Sequence, residues 1–335
     1  MTAIENRIGG AWWAKQTAKG TPATTADKRG RWVAGDMNVA RDDGNENYLD
    51  GQRFPDSVDF VNQVLGNGNP SFQGQSGVVA HLAYLMSGQE TVTGAAAPYT
   101  HVATPNNTGS FWSTWWKTVG QTVKLQQKFN DAKLVSLRFE GSTAAKVLRV
   151  TPTFVSLDAG EVYTTDPIKA DDGTSPILWT EAEAAISING AVVRGQSSFA
   201  FVIGDAVTPW FGDSVIPQDV AYGPGTVTIE NLTLLVDAAG LAHYNSQIYG
   251  TATPAAAAKP LHVQPALGSY TINFTRGTSE QVMIEVPGLR WTPDMAIPPN
   301  PDGGPVELAI GGAARKSGVN PMYRITTKNA DPAYT

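Results

Sequence analysis

Cysteine is absent from the sequence, and charged residues are few. Among 335 residues there is no Cys, and Asp, Glu, Lys and Arg together account for 16%. A chain without thiols forms no disulfide, no thiolate zinc site and no Cys nucleophile. The formal net charge of −6 argues against nonspecific nucleic-acid binding through a basic surface. With 41% apolar residues, the chain is expected to be globular and to bury a sizeable core.

Long apolar segments are also missing. No window approaches the run of about 18 apolar residues that a membrane helix needs. Residues 1–16 hold no apolar stretch of signal-peptide length. We therefore expect a chain that is made in a cytoplasm and does not cross a membrane.

Histidine is scarce, and its four residues form no catalytic pattern. They are His81, His101, His243 and His262. None belongs to an H-E-x-x-H motif, and GQSSF at 195–199 is not a G-x-S-x-G nucleophile elbow, because its fifth residue is Phe. We predict structural roles for these histidines. We also predict that the chain is not an enzyme and has no catalytic residue, no metal site and no cofactor.

Glycine and proline, by contrast, are abundant, with 34 and 22 residues. They separate segments in which apolar and polar residues alternate, as in half-buried strands. This pattern predicts a mainly β fold. The predicted strands lie at 31–41, 57–66, 122–129, 133–141, 146–154, 182–193, 197–204, 225–236, 261–265, 270–277, 281–288, 306–312 and 322–329, with a further strand, turn and strand after residue 90.

Two short helices are predicted among the strands. Residues 76–87 carry apolar side chains on one helical face, and a second helix is predicted at 238–249. Ser76 and Asp237 are the predicted N-caps, and a Gly ends each helix.

The two helices share a further pattern. In each, an Ala-His pair is followed by Gly at the same spacing, as His81 and Gly88 in the first and His243 and Gly250 in the second. A His-Val phrase then follows each helix, THVATP at 100–105 and LHVQP at 261–265. The repeated order indicates an internal duplication.

Residues 42–56, DDGNENYLDGQRFPD, are acidic and rich in turn formers. We predict a loop here, and a loop of this length inside a compact domain is usually functional or mobile.

Tryptophan is concentrated in two places. One is the pair Trp12 and Trp13, and the other is FWSTWWK at 111–117, with Trp112, Trp115 and Trp116. Such clusters fill cores, anchor contacts with a neighbouring subunit or form stacking platforms for sugars. The sequence leaves these three interpretations open.

Taken in order, several phrases resemble the major tail tube proteins of long-tailed, siphovirus-type bacteriophages, in an actinophage-like version with an internally duplicated layout. The phrases are GAWWAKQTAKGTPAT at 10–24, GQRFPDS at 51–57, SGVVAHLAYLMSG at 76–88 and PYTHVATP at 98–105. The resemblance extends over about residues 7–330. The order of these four phrases along the chain carries the resemblance.

The resemblance implies a tail-tube-type antiparallel β-sandwich with a short flanking helix, in two tandem copies. The implied segments are an N-terminal arm at 1–30, tube-like sandwich domains at 31–158 and 159–330, and a C-terminal tail at 331–335. Six such folds form a ring, so a trimer of a duplicated chain is favoured over a hexamer. Stacked rings form a hollow tail tube, whose inner sheets join into one wall.

The implied role is that of a structural virion protein, assembled in the host cytoplasm. Its partners are other copies of itself, the tape-measure protein and the tail tip and tail terminator proteins. DNA crosses the lumen without specific binding, and the net charge of −6 agrees with an acidic lumen.

The resemblance places an inter-ring contact in the 42–56 loop, with the arm and the tail as further contacts. The candidate loop residues are Asp42, Asp43, Asn45, Glu46, Tyr48, Asp50, Arg53 and Phe54. The candidate arm and interface aromatics are Trp12, Trp13, Trp112, Trp115 and Trp116.

Other classes stay open. A carbohydrate-binding or virion decoration β-sandwich is one alternative, and a β-rich hydrolase is another. The segment DPIKADDGTS at 166–175 holds three Asp but no closing Glu, which favours a solvated turn over a calcium loop.

Overall fold

Strands dominate the computed structural model, and two short helices interrupt them. The structure describes residues 9–48, 56–120, 123–142, 147–165, 167, 179–180, 183–193, 198–263, 265–292 and 306–334. For residues 46–48, 56–58, 142, 159, 231 and 235, only the backbone is described. The predicted mainly β class is confirmed, and all strand pairs are antiparallel.

The described residues of the first half of the chain form eleven strands and one helix. They are β1 (Gly9–Lys15), β2 (Lys28–Gly30), β3 (Trp32–Ala34), β4 (Met37–Tyr48), β5 (Asp56–Gly68), β6 (Ser71–Gln73), α1 (Ser76–Ser87), β7 (Glu90–Thr93), β8 (Tyr99–Ala103), β9 (Ser113–Val119), β10 (Leu125–Ser142) and β11 (Arg149–Val162).

The second half contains ten strands and one helix in its described residues. They are β12 (Ala184–Ile188), β13 (Ala191–Val193), β14 (Ser198–Gly204), β15 (Val207–Trp210), β16 (Asp219–Tyr222), β17 (Thr226–Leu235), α2 (Ala238–Tyr249), β18 (Gly268–Arg276), β19 (Glu280–Trp291), β20 (Glu307–Ala314) and β21 (Arg324–Asn329).

Most strands fall into two groups. The first group has the order β2–β1–β9–β10–β11, and β11 continues to β5–β4 and to β6–β3. The second has the order β7–β8–β21–β19–β18–β12–β13. β14, β17 and β20 link the groups, because β14 pairs with β10 and β20 pairs with β19.

β10 makes this link because it changes partner along its length. Its first part pairs with β9, its last part pairs with β14, and β11 stays beside it on the other edge. A register shift between Phe129 and Ala132, with Asp131 at φ 48°, bends the strand between the two parts. Two strands that were predicted separately, at 122–129 and 133–141, are therefore one strand of 18 residues.

The two halves of the chain are hydrogen-bonded to each other. β14 of the second half pairs with β10 of the first, and β21 pairs with β8. One hydrophobic core holds side chains from both halves, such as Phe139 and Phe201. The predicted boundary after residue 158 lies inside β11, so it does not separate two packed units. The predicted arm at 1–30 likewise contains β1 and β2, which belong to the sheet.

α1 lies inside the molecule, so the expectation of a flanking helix is wrong for it. Every residue of α1 except Gly77 is buried. The helix contacts β10 and β2 of the first strand group and β21, β8 and β19 of the second. α2 differs, since only Gly240 and His243 are buried in it.

The predicted helix ends are confirmed, but only one predicted cap is. Asp237 accepts hydrogen bonds from the N–H groups of Ala239 and Gly240, both at 2.9 Å. Ser76 does not cap α1, because the N-cap is Gln75 and the Ser76 hydroxyl bonds to the Glu280 carboxylate. Both helices end at a left-handed Gly with φ near 70–77°.

The predicted strand at 261–265 is wrong. The described part of this segment lies in bends, and His262 is exposed. The N–H of Leu261 donates to the Ile248 carbonyl at 2.8 Å, so the segment closes the end of α2 instead of joining a sheet. The His-Val phrases after the two helices therefore differ in structure, whereas both helices end at a left-handed Gly.

Candidate assembly surface

The β4–β5 hairpin extends beyond the sheet that holds its base. The two strands pair from Met37 opposite Gly68 to Tyr48 opposite Asp56. β11 pairs with β5 only at Gly66–Gly68, and in the described part of the chain no other strand pairs with either one. At about 3.4 Å per residue, the part beyond this base projects roughly 30 Å.

Residues 42–48 are therefore a strand, and the prediction of a loop over 42–56 is wrong for them. Gly44 lies opposite Phe60, and the Phe60 ring covers it so closely that a Cβ at position 44 would lie 2.5 Å from the ring. Glycine weakens a strand because it has no side chain to pack, and here the Phe60 ring from the neighbouring strand fills that space. Turn propensities do not reveal this contact, because the two residues are distant in the sequence. Asp50, Arg53 and Phe54 lie outside the described residues.

Polar side chains line the projecting strands. Arg41 Nε lies 2.5 Å from Asp43 Oδ1, and Asn45 Nδ2 donates to Asp59 Oδ1 at 2.7 Å. Asp42 accepts a long contact from Asn62 at 3.4 Å. All these groups are exposed, so each contact contributes little to stability in the free chain.

The described side chains of the projection combine negative charge with one exposed aromatic ring. Asp42, Asp43 and Asp59 outnumber Arg41, and Phe60 is 44% exposed. For Glu46 and Tyr48 the structure places only the backbone, within β4. An acidic strand pair with an exposed Phe is suited to docking on another protein surface.

A second exposed apolar surface lies beside the hairpin base. β15 and β16 form a two-stranded sheet, and their loop accepts a hydrogen bond from Val64 N–H at the Val215 carbonyl, 2.8 Å. Trp210 is 56% exposed, and Val215 and Ile216 are also exposed. Apolar side chains grouped beside a projecting hairpin indicate an interaction surface.

Trp112 lies close to this region, because the buried Lys133 is near both the Trp112 ring and the ring of Tyr222 in β16. Lys133 Nζ lies 4.4 Å from the centre of the Trp112 ring and 5.4 Å from that of Tyr222. Burial lowers the pKa of Lys133 to about 8, against the opposing charges of Asp205 and Asp219. Trp112 is half-buried and was one of the predicted interface aromatics.

The other four predicted interface aromatics are core residues. β1 pairs with β9 so that Trp13 lies opposite Trp115 and Trp12 opposite Trp116. Trp13 and Trp115 stack at 5.3 Å in the main core, and Trp12 and Trp116 pack on the other face of the sheet with Ala14 and Ala26. Buried side chains cannot anchor a neighbour or stack on a sugar, so both of these interpretations are wrong for them.

A groove of about 740 Å³ was not predicted from the sequence. Its wall includes Asn106, Asp205, Tyr222, Lys316 and Tyr323, from four distant segments. Burial raises the pKa of Asp205, although a backbone hydrogen bond from Ser110 and the Lys133 charge oppose it. No local motif marks these residues, because only the fold brings the segments together.

His81, His101 and His243 are buried within the fold, whereas His262 is exposed. His81 Nδ1 accepts a hydrogen bond from Trp13 Nε1 at 2.9 Å, and burial lowers its pKa. His243 packs edge-on against Trp291 at 4.8 Å. Among the described residues, no group of three or more His, Asp or Glu side chains is placed to hold a metal ion. The 166–175 segment, apart from Pro167, lies outside the described residues.

No helix in the described part of the chain is both long and apolar enough to span a membrane. No protein-family profile matches the chain, and no curated protein matches its sequence.

Proposed function

We propose that the chain is a structural virion protein that polymerises as stacked rings into the hollow tail tube of a long-tailed bacteriophage. In this role, the tape-measure protein and later the DNA pass through the lumen. The observation that carries the proposal is the β4–β5 hairpin, which projects from the sheet and, among the described strands, pairs with no third one beyond Gly66. The order of sequence phrases shared with tail tube proteins gives independent support.

In a monomer, the projecting hairpin has little to stabilise it. A two-stranded ribbon is marginally stable in water, and its two open edges invite pairing with other chains. A neighbouring subunit would cover these edges and the exposed Phe60 ring. A polymer thus explains the presence of a long, exposed ribbon in this chain.

The β15–β16 loop extends the same interface. Trp210, Val215 and Ile216 expose apolar surface next to the hairpin base. Burying about 100 Å² of apolar surface contributes roughly 2.5 kcal/mol before the costs of association. Repetition of the contact around a ring and between rings adds these contributions in every subunit.

The ring is proposed to hold six sandwich folds, built by three copies of a duplicated chain rather than six. Support comes from the two 12-residue helices, each with a histidine packed on a tryptophan and a left-handed Gly at its end. The acidic net charge supports passage of DNA without binding, because like charges repel at the wall.

Sedimentation velocity at rising protein concentration tests the assembly surface. The unmodified chain is expected to form large species, whereas Phe60→Asp stays small because a charge replaces the exposed ring in the contact. Val319→Asp is the matched control, since Val319 is fully exposed but lies far from the hairpin in sequence and outside the proposed surface. If Phe60→Asp and Val319→Asp assemble equally well, the hairpin is not the contact.

A glycan array separates this function from the carbohydrate-binding alternative. A tail tube protein is expected to bind no glycan on the array. A chain that stays small in sedimentation and binds a defined glycan would overturn the proposal.

A further inference from the structure

The end of the described chain folds back over a buried group of ionisable side chains. Tyr334 packs edge-on against His81 at 4.8 Å and stacks on His101 at 5.0 Å. Its backbone N–H donates to Glu90 Oε1 at 2.9 Å. The segment after β21 is thereby fixed against α1 and β8.

Within this group, the Lys28 ammonium contacts the Asp331 carboxylate. Lys28 Nζ lies 2.6 Å from Asp331 Oδ2, and the two side chains are 2% and 28% exposed. The Tyr334 hydroxyl lies 3.1 Å from the same oxygen. Gly77, in the first turn of α1, adjoins both groups, since a Cβ there would lie 2.8 Å from Asp331 Oδ2 and 3.4 Å from Lys28 Nζ.

A second lysine–aspartate pair in the chain has the same length but a different environment. Lys117 Nζ lies 2.6 Å from Asp36 Oδ1, and its side chain is 7% exposed, but that of Asp36 is 58% exposed. Water therefore reaches the Asp36 carboxylate far more readily than that of Asp331. The two pairs therefore differ in how far the carboxylate is shielded from water, and the Asp331 carboxylate is the better shielded of the two.

We propose that Lys28 and Asp331 condense into an intramolecular isopeptide bond, a covalent modification that joins β2 to the segment after β21. One Nζ proton passes to the carboxylate, which gives a neutral amine and a neutral acid. The Nζ lone pair then attacks Cγ, and the C–O bond breaks. The departing oxygen takes a second Nζ proton and leaves as water, so the ion pair becomes an amide plus one water with no oxidant or reductant.

The surroundings favour each step. The Lys28 side chain is 2% exposed and its Nζ already lies 2.6 Å from Asp331 Oδ2, so the proton transfer takes place within the contact pair. Groups held at contact distance reach effective molarities of about 10⁵–10⁸ M, which offsets the cost of expelling water. The Tyr334 hydroxyl is placed to relay a proton to the departing oxygen.

A second carboxyl group is also close to the helix turn that holds the pair. Glu280 bonds to the Ser76 hydroxyl, next to Gly77 in α1. Burial raises the pKa of Glu280, and the Asp331 charge adds to this effect against the Ser76 hydrogen bond.

The intact mass of the denatured full chain tests the proposal. We expect a mass lower than that of the sequence by one water, and a branched proteolytic peptide that contains both Lys28 and Asp331. A chain at its full sequence mass, with two unbranched peptides, would overturn it.

Two variants and one cleavage reaction serve as controls. Lys28→Met should restore the full mass, whereas Asp36→Ala should still lose one water; a water loss that persists in Lys28→Met would identify another reaction and refute the bond. Mild acid cleaves Asp–Pro bonds through the free Asp carboxyl, and the chain has two, Asp166–Pro167 and Asp331–Pro332. Only the first should cleave, and equal cleavage of both would contradict an amide at Asp331.

Discussion

Replacing each helix histidine by alanine should affect stability very differently, although the two residues occupy matching sequence positions. His81 is 1% exposed, and its Nδ1 accepts the Trp13 indole hydrogen bond. His81→Ala removes the buried ring, at a cost of about 2–4 kcal/mol, and leaves the Trp13 N–H unpaired, for about 1–3 kcal/mol more. We expect a loss of roughly 3–7 kcal/mol in the free energy of unfolding.

His243→Ala should cost much less. His243 lies on the exposed helix α2, and its Nε2 has no hydrogen-bond partner among the described residues. Its main contact is the edge-on packing against Trp291, which is worth about 0.5–1.5 kcal/mol beyond area burial. We expect a total loss of roughly 1–2 kcal/mol.

Urea unfolding of the unassembled chain, followed by tryptophan fluorescence, measures both values. His81→Gln is the matched variant, because its amide oxygen can accept the Trp13 hydrogen bond and should recover part of the loss. Equal losses for the two alanine variants, or a larger loss for His243→Ala, would refute the structural account of these helices.

Three further predictions concern pH and the hairpin. Burial lowers the pKa of His243 to about 4, so stability should fall as pH drops from about 6.5 towards 4, by on the order of 3 kcal/mol, and His243→Phe should flatten this part of the unfolding profile. The contribution of His101 to stability should have the opposite pH dependence. Burial alone would lower the pKa of His101, but its hydrogen bonds to Glu90 and to the Asp331 carbonyl outweigh burial and raise that pKa. The stabilisation is complete below about 6.5 and is lost as pH rises through the folded pKa, and NMR titration should show this pKa falling in Glu90→Gln. Gly44→Val should displace the Phe60 ring and block assembly in sedimentation, while the urea unfolding free energy changes by less than about 1 kcal/mol, because the pair lies on the projecting hairpin and outside the hydrophobic core.

Features that depend on neighbouring residues in the chain could be predicted from the sequence. Asp237 and Gly250 define the two ends of α2 by local hydrogen bonding, and the structure confirms them. Alternating apolar residues identified strands such as β18, whose burial alternates along its length. Helix capping and strand alternation depend on residues that are close in the chain, so both can be predicted from the sequence alone.

Features that depend on distant partners could not be predicted in this way. Residues 42–48 contain Asp, Gly and Asn and read as a loop, yet they pair with β5 and gain the Phe60 ring over Gly44. β10 was divided into two strands because its bulge at Asn130 and Asp131 resembles a turn. Only the pairing with β9 and β14 shows that it is one strand.

The tryptophan clusters illustrate the same limit. Core packing and subunit contacts use the same aromatic residues, so composition could not assign Trp13 and Trp115. Their pairing across β1 and β9 buries them within one chain. Trp210, which no sequence pattern singled out, is instead the most exposed tryptophan described.

Negative-stain electron microscopy of the purified chain, at rising concentration, shows whether the chain builds a tube. We predict rings or tubes with a central hole, whose rotational average has threefold symmetry. Small, single particles without a hole at every concentration would contradict the proposal that this chain builds a tail tube.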